Sequence, residues 1–262
     1  MTNRATHPEQ DSGTIIGKLW ERNYDPPTRR IIENLPIGSD WRCLDVGAGL
    51  GSMSRWLAER TPRGSVLAMD VDTSRLETSG ASNLTVREAD ITTAEFASES
   101  FELVLIRAVL SELDDPVDLL TRAADWLSPG GWLVAEDFYF MPSEDATTPV
   151  GSRVIDGYIK AAMAGGVDWR QARRLPATLS RVGLESVDVT VRPLGPGQGR
   201  EENELMRARM ELQGQPLVDN GLVAAEDIEA FLAGLDRPEA RDVTTLQFSA
   251  WGQRPASERR SR

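Results

Sequence analysis

The chain has 262 residues, 40% of them hydrophobic and 27% charged, which suits one large α/β domain or a core domain with an insertion. Its net charge of −12 argues against a nucleic-acid partner, and no apolar run approaches the roughly 18 residues that a membrane-spanning helix needs. The first residues contain no apolar leader and the chain has one cysteine, so we expect a cytoplasmic location and no membrane partner.

Short apolar runs alternate with helical patterns from residue 41 to residue 138. We predict strands at 41–46, 65–70, 83–88, 101–106 and 132–138, and helices at 52–59 and 116–127. The second helix is marked by Asp115 as N-cap and by Pro116 at the first helical position. Strands that alternate with helices of this length indicate a parallel sheet with crossover helices.

The second half of the chain is less regular. We predict helices at 154–164, 171–182, 201–212 and 225–235, strands at 184–191 and 243–251, and a loop rich in glycine and proline at 192–199. Two of these helices separate what would otherwise be the final strand pair, so we predict a small helical cap at about 194–242. One domain is expected at 14–255, between polar, flexible tails at 1–13 and 256–262.

The strongest signal is the run Leu44-Asp45-Val46-Gly47-Ala48-Gly49-Leu50-Gly51, which lies between a predicted strand and a predicted helix. Glycines let the backbone turn sharply and approach a ligand, and the first N–H groups of a helix bind polar ligand atoms. A dinucleotide site is one alternative, but its G-x-G-x-x-G fingerprint has a glycine where Ser52 stands. A tight strand-to-helix turn without a ligand is the other alternative.

Two acids follow the next two strands. Asp70 lies about 20 residues beyond the glycine run, at a strand end where a short carboxylate can accept bonds from two ribose hydroxyls. Asp90 follows the third strand, with Ile91 beside it. The acid would accept a bond from an adenine amino group, and the isoleucine would pack against the ring. As the alternative, either acid would cap a turn or a strand end.

Five segments, in this order, resemble the class I S-adenosylmethionine (SAM) dependent methyltransferases, and the runs 173–176 and 249–252 resemble bacterial enzymes of this class that act on small molecules. The run 44–51 resembles motif I, Asp70 fits the ribose-binding acid, and 89–91 resembles the adenine-binding motif. The runs 101–104 and 127–134 resemble the fourth strand and the entry to the fifth. The resemblance implies a Rossmann-like, seven-stranded, mostly parallel sheet with an antiparallel last strand and with helices on both faces.

The resemblance also implies SAM as cofactor, S-adenosylhomocysteine as its product, and the residues that hold them. These are Asp45 behind the amino group; Gly47, Ala48, Gly49 and Gly51 along the methionine moiety; Asp70 at the ribose; Val71, Asp90 and Ile91 at the adenine; and Arg107 and Ala108 at the methyl group or the amino-acid part. The chain departs from the family at Glu112, where many relatives have histidine. The resemblance therefore does not carry over a histidine base.

Methyl transfer asks a protein mainly to align the acceptor with the methyl carbon and the sulfur, and to exclude water. A base helps a weakly acidic hydroxyl acceptor, but a carboxylate or a neutral amine needs none. The only histidine, His7, lies in the polar tail, so we select Glu112, Glu136 and Asp137 as candidate bases and Arg107 as a partner for an anionic substrate. As the alternative, the acids would be solvated or capping residues, and Arg107 would pair with one of them. No cluster has metal-ligand spacing, so no metal is expected.

Aromatic and methionine side chains are candidates for an acceptor pocket. We predict that Trp20, Tyr24, Tyr139, Tyr158 and Met163 contact the substrate, although such residues more often belong to a plain core. The predicted function is methyl transfer from SAM to a small organic molecule in bacterial secondary metabolism, by a monomer or homodimer. The alternative is a SAM-binding protein of this fold that catalyses a cyclisation or rearrangement, or acts as a non-catalytic partner.

Overall fold

The computed structural model describes residues 8–256 and contains one seven-stranded β-sheet. Its strands are β1 (Arg42–Val46), β2 (Ser65–Asp70), β3 (Leu84–Glu88), β4 (Phe101–Arg107), β5 (Leu127–Phe140), β6 (Glu185–Leu194) and β7 (Thr245–Gln253). Their order across the sheet is β3-β2-β1-β4-β5-β7-β6. Strands β1 to β5 pair in parallel, as the register of Leu44 with Leu67 and of Val104 with Leu133 illustrates.

Strand β7 runs antiparallel to β5. At one end, Arg254 exchanges backbone hydrogen bonds with Gly130 (3.0 Å) and Gly131 (2.8 Å). At the other end, the N–H of Met141 donates to the carbonyl of Thr244 (2.9 Å). Residues early in one strand thus face residues late in the other, which defines antiparallel pairing. The predicted Rossmann-like, seven-stranded, mostly parallel sheet is confirmed.

Helices cover both faces of this sheet. Within the described residues the helices of the chain are α1 (Pro8–Glu33), α2 (Ser52–Arg60), α3 (Pro116–Trp126), α4 (Pro149–Ala164), α5 (Leu175–Arg181), α6 (Arg200–Gln213), α7 (Gln215–Asp219) and α8 (Ala225–Gly234). Those in contact with the two faces of the sheet are α1 and α2 on one side and α3 and α5 on the other. Successive strand residues point to opposite faces, so neighbours join different cores. Leu44 belongs to the core that contains Leu120 of α3, whereas Cys43 belongs to the core that contains Ile32 of α1 and Leu57 of α2.

Cys43 is the single cysteine of the chain, and its side chain is only 1% exposed. Burial raises the pKa of the thiol well above its ordinary value. A thiol in such surroundings stays protonated, so it contributes packing and not nucleophilic reactivity.

The chain divides into two compact units. The larger unit contains Pro27–Tyr139, Gly166–Arg192 and the described residues from Gln247 on. The smaller unit contains the described residues up to Pro26 together with Phe140–Gly165 and Pro193–Leu246, and it has its own core around Val154, Leu217 and Phe231. The predicted cap at 194–242 falls within the smaller unit, which also takes in residues from two other parts of the chain.

Helix α1 was not predicted from the sequence. It includes Pro26 and Pro27 within its span, and proline cannot donate an intrahelical backbone hydrogen bond. Such a proline pair is typical of a helix end. The sequence pattern therefore did not indicate that one helix continues through it. The expected tail at 1–13 is helical from Pro8 on. Residues 1–7, with His7, and residues 257–262 lie outside the described part of the chain.

Several predicted boundaries shift. Strand β5 is longer than the predicted 132–138, and the predicted helix at 171–182 is a 3-10 turn, Ala172–Arg174, followed by α5. The segments 71–83 and 89–100, where no helix was predicted, contain no α-helix, so these two parallel connections have no crossover helix. No helix in the described range 8–256 is both long and apolar enough to cross a membrane.

Candidate active site

The loop after β1 follows a left-handed backbone path at its three glycines. The φ angles are +70° at Gly47, +57° at Gly49 and +85° at Gly51, values that favour glycine. A Cβ at Gly47 would lie 2.4 Å from Cγ2 of Val109, whereas a Cβ at Gly49 would meet no atom within 4 Å. The first glycine therefore lets the loop pack against the segment after β4, and the second leaves open space beside the loop.

A cavity of about 250 Å³ lies at the carboxyl ends of β1 to β4, where open α/β sheets bind ligands. It brings together eight of the residues predicted from the sequence: Gly47, Asp70, Val71, Asp90, Ile91, Arg107, Ala108 and Glu112. Their convergence on one cavity identifies this edge of the sheet as the candidate active site.

Four of the predicted cofactor residues lie outside the cavity walls: Asp45, Ala48, Gly49 and Gly51. Asp45 is 2% exposed and accepts a hydrogen bond from Oγ of Ser54 in α2 (2.5 Å). The N–H of Gly49 donates to Oδ2 of Asp70 (2.8 Å). These contacts fix the shape of the loop, and the direct cofactor contacts of these four residues stay predictions.

Asp70 ends β2 and Asp90 lies just beyond the end of the neighbouring strand β3, and backbone donors orient both carboxylates. Oδ1 of Asp70 accepts a bond from the N–H of Asp72 (3.2 Å). Oδ1 of Asp90 accepts bonds from the hydroxyl (2.7 Å) and the N–H (2.8 Å) of Thr92, and these bonds hold the pKa of Asp90 below its usual range. Ile91, 6% exposed, provides an apolar wall beside this acid.

Arg107 and Glu136 face one another across the β4–β5 ladder, and a threonine joins them. Nη1 of Arg107 donates to Oγ1 of Thr28 (3.1 Å), and the same hydroxyl donates to Oε2 of Glu136 (2.7 Å). Arg107 is 8% exposed and Glu136 is 2% exposed. Glu136 is therefore held within a buried network, whereas Arg107 belongs both to this network and to the cavity wall.

Asp137 points to the other face of the sheet and holds the turn that follows β4. Its Oδ2 accepts a bond from the N–H of Ser111 (2.8 Å), and its Oδ1 accepts one from the Ser111 hydroxyl (3.0 Å). The carboxyl is 1% exposed, and burial raises its pKa to about 6 despite these donors. Asp137 thus anchors the 3-10 turn Leu110–Glu112.

The chain leaves β4 through an unusual backbone conformation. Ala108 has a φ of +52°, which residues other than glycine rarely adopt, and its N–H donates to the carbonyl of Glu136 (2.8 Å). Glu112 follows within the anchored turn and lines the cavity. Partial burial and the negative charge of Asp70 raise the pKa of the Glu112 carboxyl. A carboxyl with a raised pKa at a cavity wall is a candidate proton acceptor.

The aromatic residues predicted at the N-terminal segment lie in the smaller unit. The rings of Trp20 and Tyr24 meet edge to face with centroids 5.0 Å apart. Tyr24 is only 4% exposed, and its hydroxyl donates a hydrogen bond to Oε2 of Glu202 (3.1 Å). The buried hydroxyl therefore has a hydrogen-bond partner.

The remaining predicted substrate residues occupy different surroundings. Tyr158 of α4 stacks on Phe140 and accepts a bond from Nη1 of Arg209 (3.2 Å), and Met163 is 59% exposed. Tyr139, in the larger unit, packs against the core that contains Leu44. These contacts do not test substrate binding, so the substrate roles of the five residues stay predictions.

Three residues of the site were missed by the sequence analysis: Thr28, Val109 and Ser111. Thr28 directly follows a proline pair, and the other two lie in a turn without a motif of its own. The wall residues fit the implied cofactor, because two oriented carboxylates, the apolar side chain of Ile91 and the first glycine of the loop line one cavity. Within residues 8–256, no group of three His, Cys, Asp or Glu side chains is placed to hold a metal ion.

Comparisons with known proteins agree with this geometry. A family model described as a methyltransferase domain matches residues 44–135, which is the segment from β1 to the middle of β5. Methyltransferase GfsG of Streptomyces halstedii is 24% identical over 181 residues, covering 64% of this chain and 63% of GfsG. The chain spans about six tenths of the length of the curated relatives it matches.

Solved structures share the fold. Phosphoethanolamine N-methyltransferase 2 of Haemonchus contortus, in complex with S-adenosylhomocysteine, has a TM-score of 0.62 at 16% identity, covering 88% of this chain and 53% of that chain. The [4+2]-cyclase SpnF has a TM-score of 0.60 at 16% identity, covering 90% of this chain and 83% of that chain.

Proposed function

We propose that this chain is a class I SAM-dependent methyltransferase that transfers the methyl group of SAM to a small organic molecule in bacterial secondary metabolism. The observation that carries the proposal is the cavity at the ends of β1 to β4, which gathers Gly47, Asp70, Asp90 and Arg107. The net charge of −12 supports a small acceptor over a nucleic acid. The similarity to GfsG supports a bacterial setting.

The residues of the cavity have distinct tasks in this proposal. SAM, when bound, supplies an electrophilic methyl group on a sulfonium sulfur. Asp70 accepts hydrogen bonds from the ribose hydroxyls, and Asp90 accepts one from the adenine amino group while Ile91 packs against the ring. The loop with Gly47 and the segment with Ala108 exclude water and fix the direction from which the acceptor approaches.

Glu112 is the residue that would handle a proton. Its carboxyl lines the cavity, and its raised pKa brings it closer to the range in which a base works near neutral pH. The proton leaves the acceptor atom for Oε of Glu112 and then passes to solvent. An acceptor that carries no proton on its reacting atom would not require this step.

The proposal is tested by label transfer. The full chain is incubated with SAM that carries a labelled methyl group and with an extract of small molecules from bacterial cells. We expect label in an organic-soluble product, which then identifies the acceptor. Label confined to protein or RNA would contradict the small-molecule assignment, and the variant Asp70→Ala serves as the control because it removes the proposed ribose acceptor.

A cyclisation or rearrangement without methyl transfer is the second candidate function. Two observations favour it as the alternative: Glu112 stands where many relatives have histidine, and a protein named as a [4+2]-cyclase has the same fold. The mass of the product separates the two. A gain of one methyl group supports methyl transfer, whereas a product with the mass of its substrate supports the alternative.

A further inference from the structure

A second cavity lies within the smaller unit, where it is lined by α4, α8 and the segment 235–242. It measures about 370 Å³, against about 250 Å³ for the candidate active site. Small-molecule sites in proteins usually measure roughly 300 Å³ or more, so this space is large enough to hold a ligand. Every residue of its wall belongs to the smaller unit. We call it the α4–α8 cavity.

The wall of the α4–α8 cavity is mainly apolar, and small residues leave the space open. Ile155 of α4, Phe231 of α8 and Leu235 are buried side chains of this wall. The wall also contains two glycines and two alanines, which are Gly151, Ala230, Gly234 and Ala240. A Cβ at Gly234 would have Cβ of Ala240 as its nearest neighbour, at 3.9 Å, so even this position has room for a side chain. The cavity therefore offers space and apolar surface to a ligand.

The charged groups of the wall favour a neutral ligand. Arg237 and Glu239 are both exposed, and they carry opposite charges two residues apart. Asp242, a third charged residue of the wall, accepts backbone hydrogen bonds from Thr147 and Val243 (2.8 Å each), so the protein already solvates its carboxylate. A charged ligand would have to leave water for a mainly apolar surface, which is costly, whereas a neutral ligand avoids this cost.

Thr148 adds one hydrogen-bond donor to this wall. It is the N-cap of α4, and its Oγ1 accepts a hydrogen bond from the N–H of Gly151 (3.0 Å). A threonine hydroxyl can accept and donate at the same time. Within residues 8–256, this hydroxyl makes no hydrogen bond as a donor. The capping bond thus holds Oγ1 in place, and its hydrogen is available to an acceptor atom of a ligand.

We propose that the α4–α8 cavity binds a neutral, mainly apolar small molecule that carries a carbonyl group, and that Thr148 donates a hydrogen bond to this carbonyl. The apolar body of the ligand lies against Ile155 and Phe231, where burial of apolar surface provides the affinity. The bond from Thr148 fixes the orientation. This site goes beyond the proposed methyl transfer, because its wall contains none of the residues that line the candidate active site.

Two fluorescent probes test the proposal. Prodan is a neutral naphthalene that carries a dimethylamino group and a ketone, whereas 2-(dimethylamino)naphthalene has the same ring and amine but no ketone. Dissociation constants of both probes are measured by fluorescence titration of the full chain. We expect the wild type to bind both probes in a saturable way, and to bind prodan more tightly because only prodan carries a carbonyl for Thr148.

A pair of phenylalanine variants on α8 locates the site. Ala230→Phe adds a ring to the wall of the cavity and should weaken the binding of prodan about ten-fold or more. Ala225→Phe is the matched control, because Ala225 is also exposed on α8 but does not line the cavity. We expect this control to change the dissociation constant less than about two-fold. Circular dichroism checks the fold, and Gly234→Leu replaces Ala230→Phe if that variant does not fold.

A pair of variants at Thr148 tests the donor. Aspartate is a good N-cap, so Thr148→Asp keeps an acceptor for the N–H of Gly151 but has no hydroxyl hydrogen. We expect this variant to weaken prodan about five-fold or more and to weaken 2-(dimethylamino)naphthalene less than about two-fold. Thr148→Ser keeps both the cap and the donor, so its affinities should stay near those of the wild type.

Each contrary result overturns a stated part of the proposal. A wild type that does not bind prodan, or equal affinities of Ala230→Phe and Ala225→Phe, would remove the α4–α8 cavity as a ligand site. Equal losses of both probes in Thr148→Asp, or no loss of either, would remove Thr148 as the donor and the carbonyl as the ligand group that it recognises. These outcomes leave the proposed methyl transfer standing, since that proposal is tested by label transfer at the other cavity.

Discussion

Glu136 and Asp137 are neighbours in sequence, yet they serve opposite faces of the sheet. Glu136 points to the face covered by α1 and α2, where it joins Thr28 and Arg107. Asp137 points to the face covered by α3 and α5, where it holds Ser111. Both carboxyls are almost fully buried, but one lies close to a cation and the other has only neutral donors as partners in the described hydrogen bonds.

The comparison teaches that burial alone does not assign a role to an acid at a strand end. Successive side chains point to opposite faces of a strand. These two neighbouring acids therefore stabilise two different groups of residues beside the active-site cavity. Glu136 belongs to the hydrogen-bonded group that contains Arg107, and Asp137 holds the turn that contains Glu112. The two acids should therefore respond in opposite ways to the loss of their charge.

The largest effect is expected for Glu136→Gln. Glutamine keeps an oxygen for the Thr28 hydroxyl but removes the negative charge close to the buried Arg107. We expect the free energy of unfolding to fall by about 3 kcal/mol, because removing the charge of one buried partner weakens the electrostatic stabilisation of the other. Urea unfolding measures this loss. The double variant with Arg107→Met should lose less than the sum of the two single variants, and a fall below about 1 kcal/mol in Glu136→Gln would contradict the role of the network.

Asp137→Asn should change the pH dependence of stability. The folded-state pKa of about 6 lies above the ordinary value, so the wild type binds this proton more tightly when folded. The stabilisation is present below about pH 4 and is lost as pH rises through about 6, amounting to about 3 kcal/mol. The asparagine variant lacks this loss. Urea unfolding of both proteins at pH 4, 5, 6 and 7.5 tests the prediction, and parallel curves would sink it.

The smallest effect on stability is expected for Glu112→Gln. This side chain lies at the cavity and takes no part in the described hydrogen bonds of the turn, so we expect a change in unfolding free energy below about 0.5 kcal/mol. Its effect on catalysis should be distinct. In the wild type, kcat/KM rises with pH as Glu112 ionises, with an apparent pKa above the ordinary value for a glutamate. The variant should lose this acidic limb, and an unchanged pH profile would exclude Glu112 as the base.

The sequence predicted the sheet well because its central strands carry continuous apolar runs. The run 103–106 in β4 is fully buried, and the glycine run fixed the position of β1. Once the strands were predicted, the position of the carboxylates after β2 and β3 followed. Parallel strands bring their carboxyl ends to one edge of the sheet.

The rest of the site depends on contacts between segments that are distant in sequence. Thr28 lies 79 residues before Arg107. It belongs to helix α1, which the sequence did not predict because Pro26 and Pro27 indicate a helix end. The different directions of Glu136 and Asp137 follow from alternation, but their partners follow only from the packing of α1 and of the turn after β4. Similarly, helices within 194–242 were predicted from the sequence, whereas the other segments of the smaller unit join them only in three dimensions.

The buried cysteine gives this protein a practical property. Cys43 is the only thiol in the sequence, and burial keeps it protonated, so thiol-reactive dyes should leave the wild-type chain unlabelled. Cysteines introduced at Met163, 59% exposed in the smaller unit, and at Val117, 43% exposed in the larger unit, would then accept a dye pair without further substitutions. Energy transfer between the dyes would report the separation of the two units in solution, with and without S-adenosylhomocysteine.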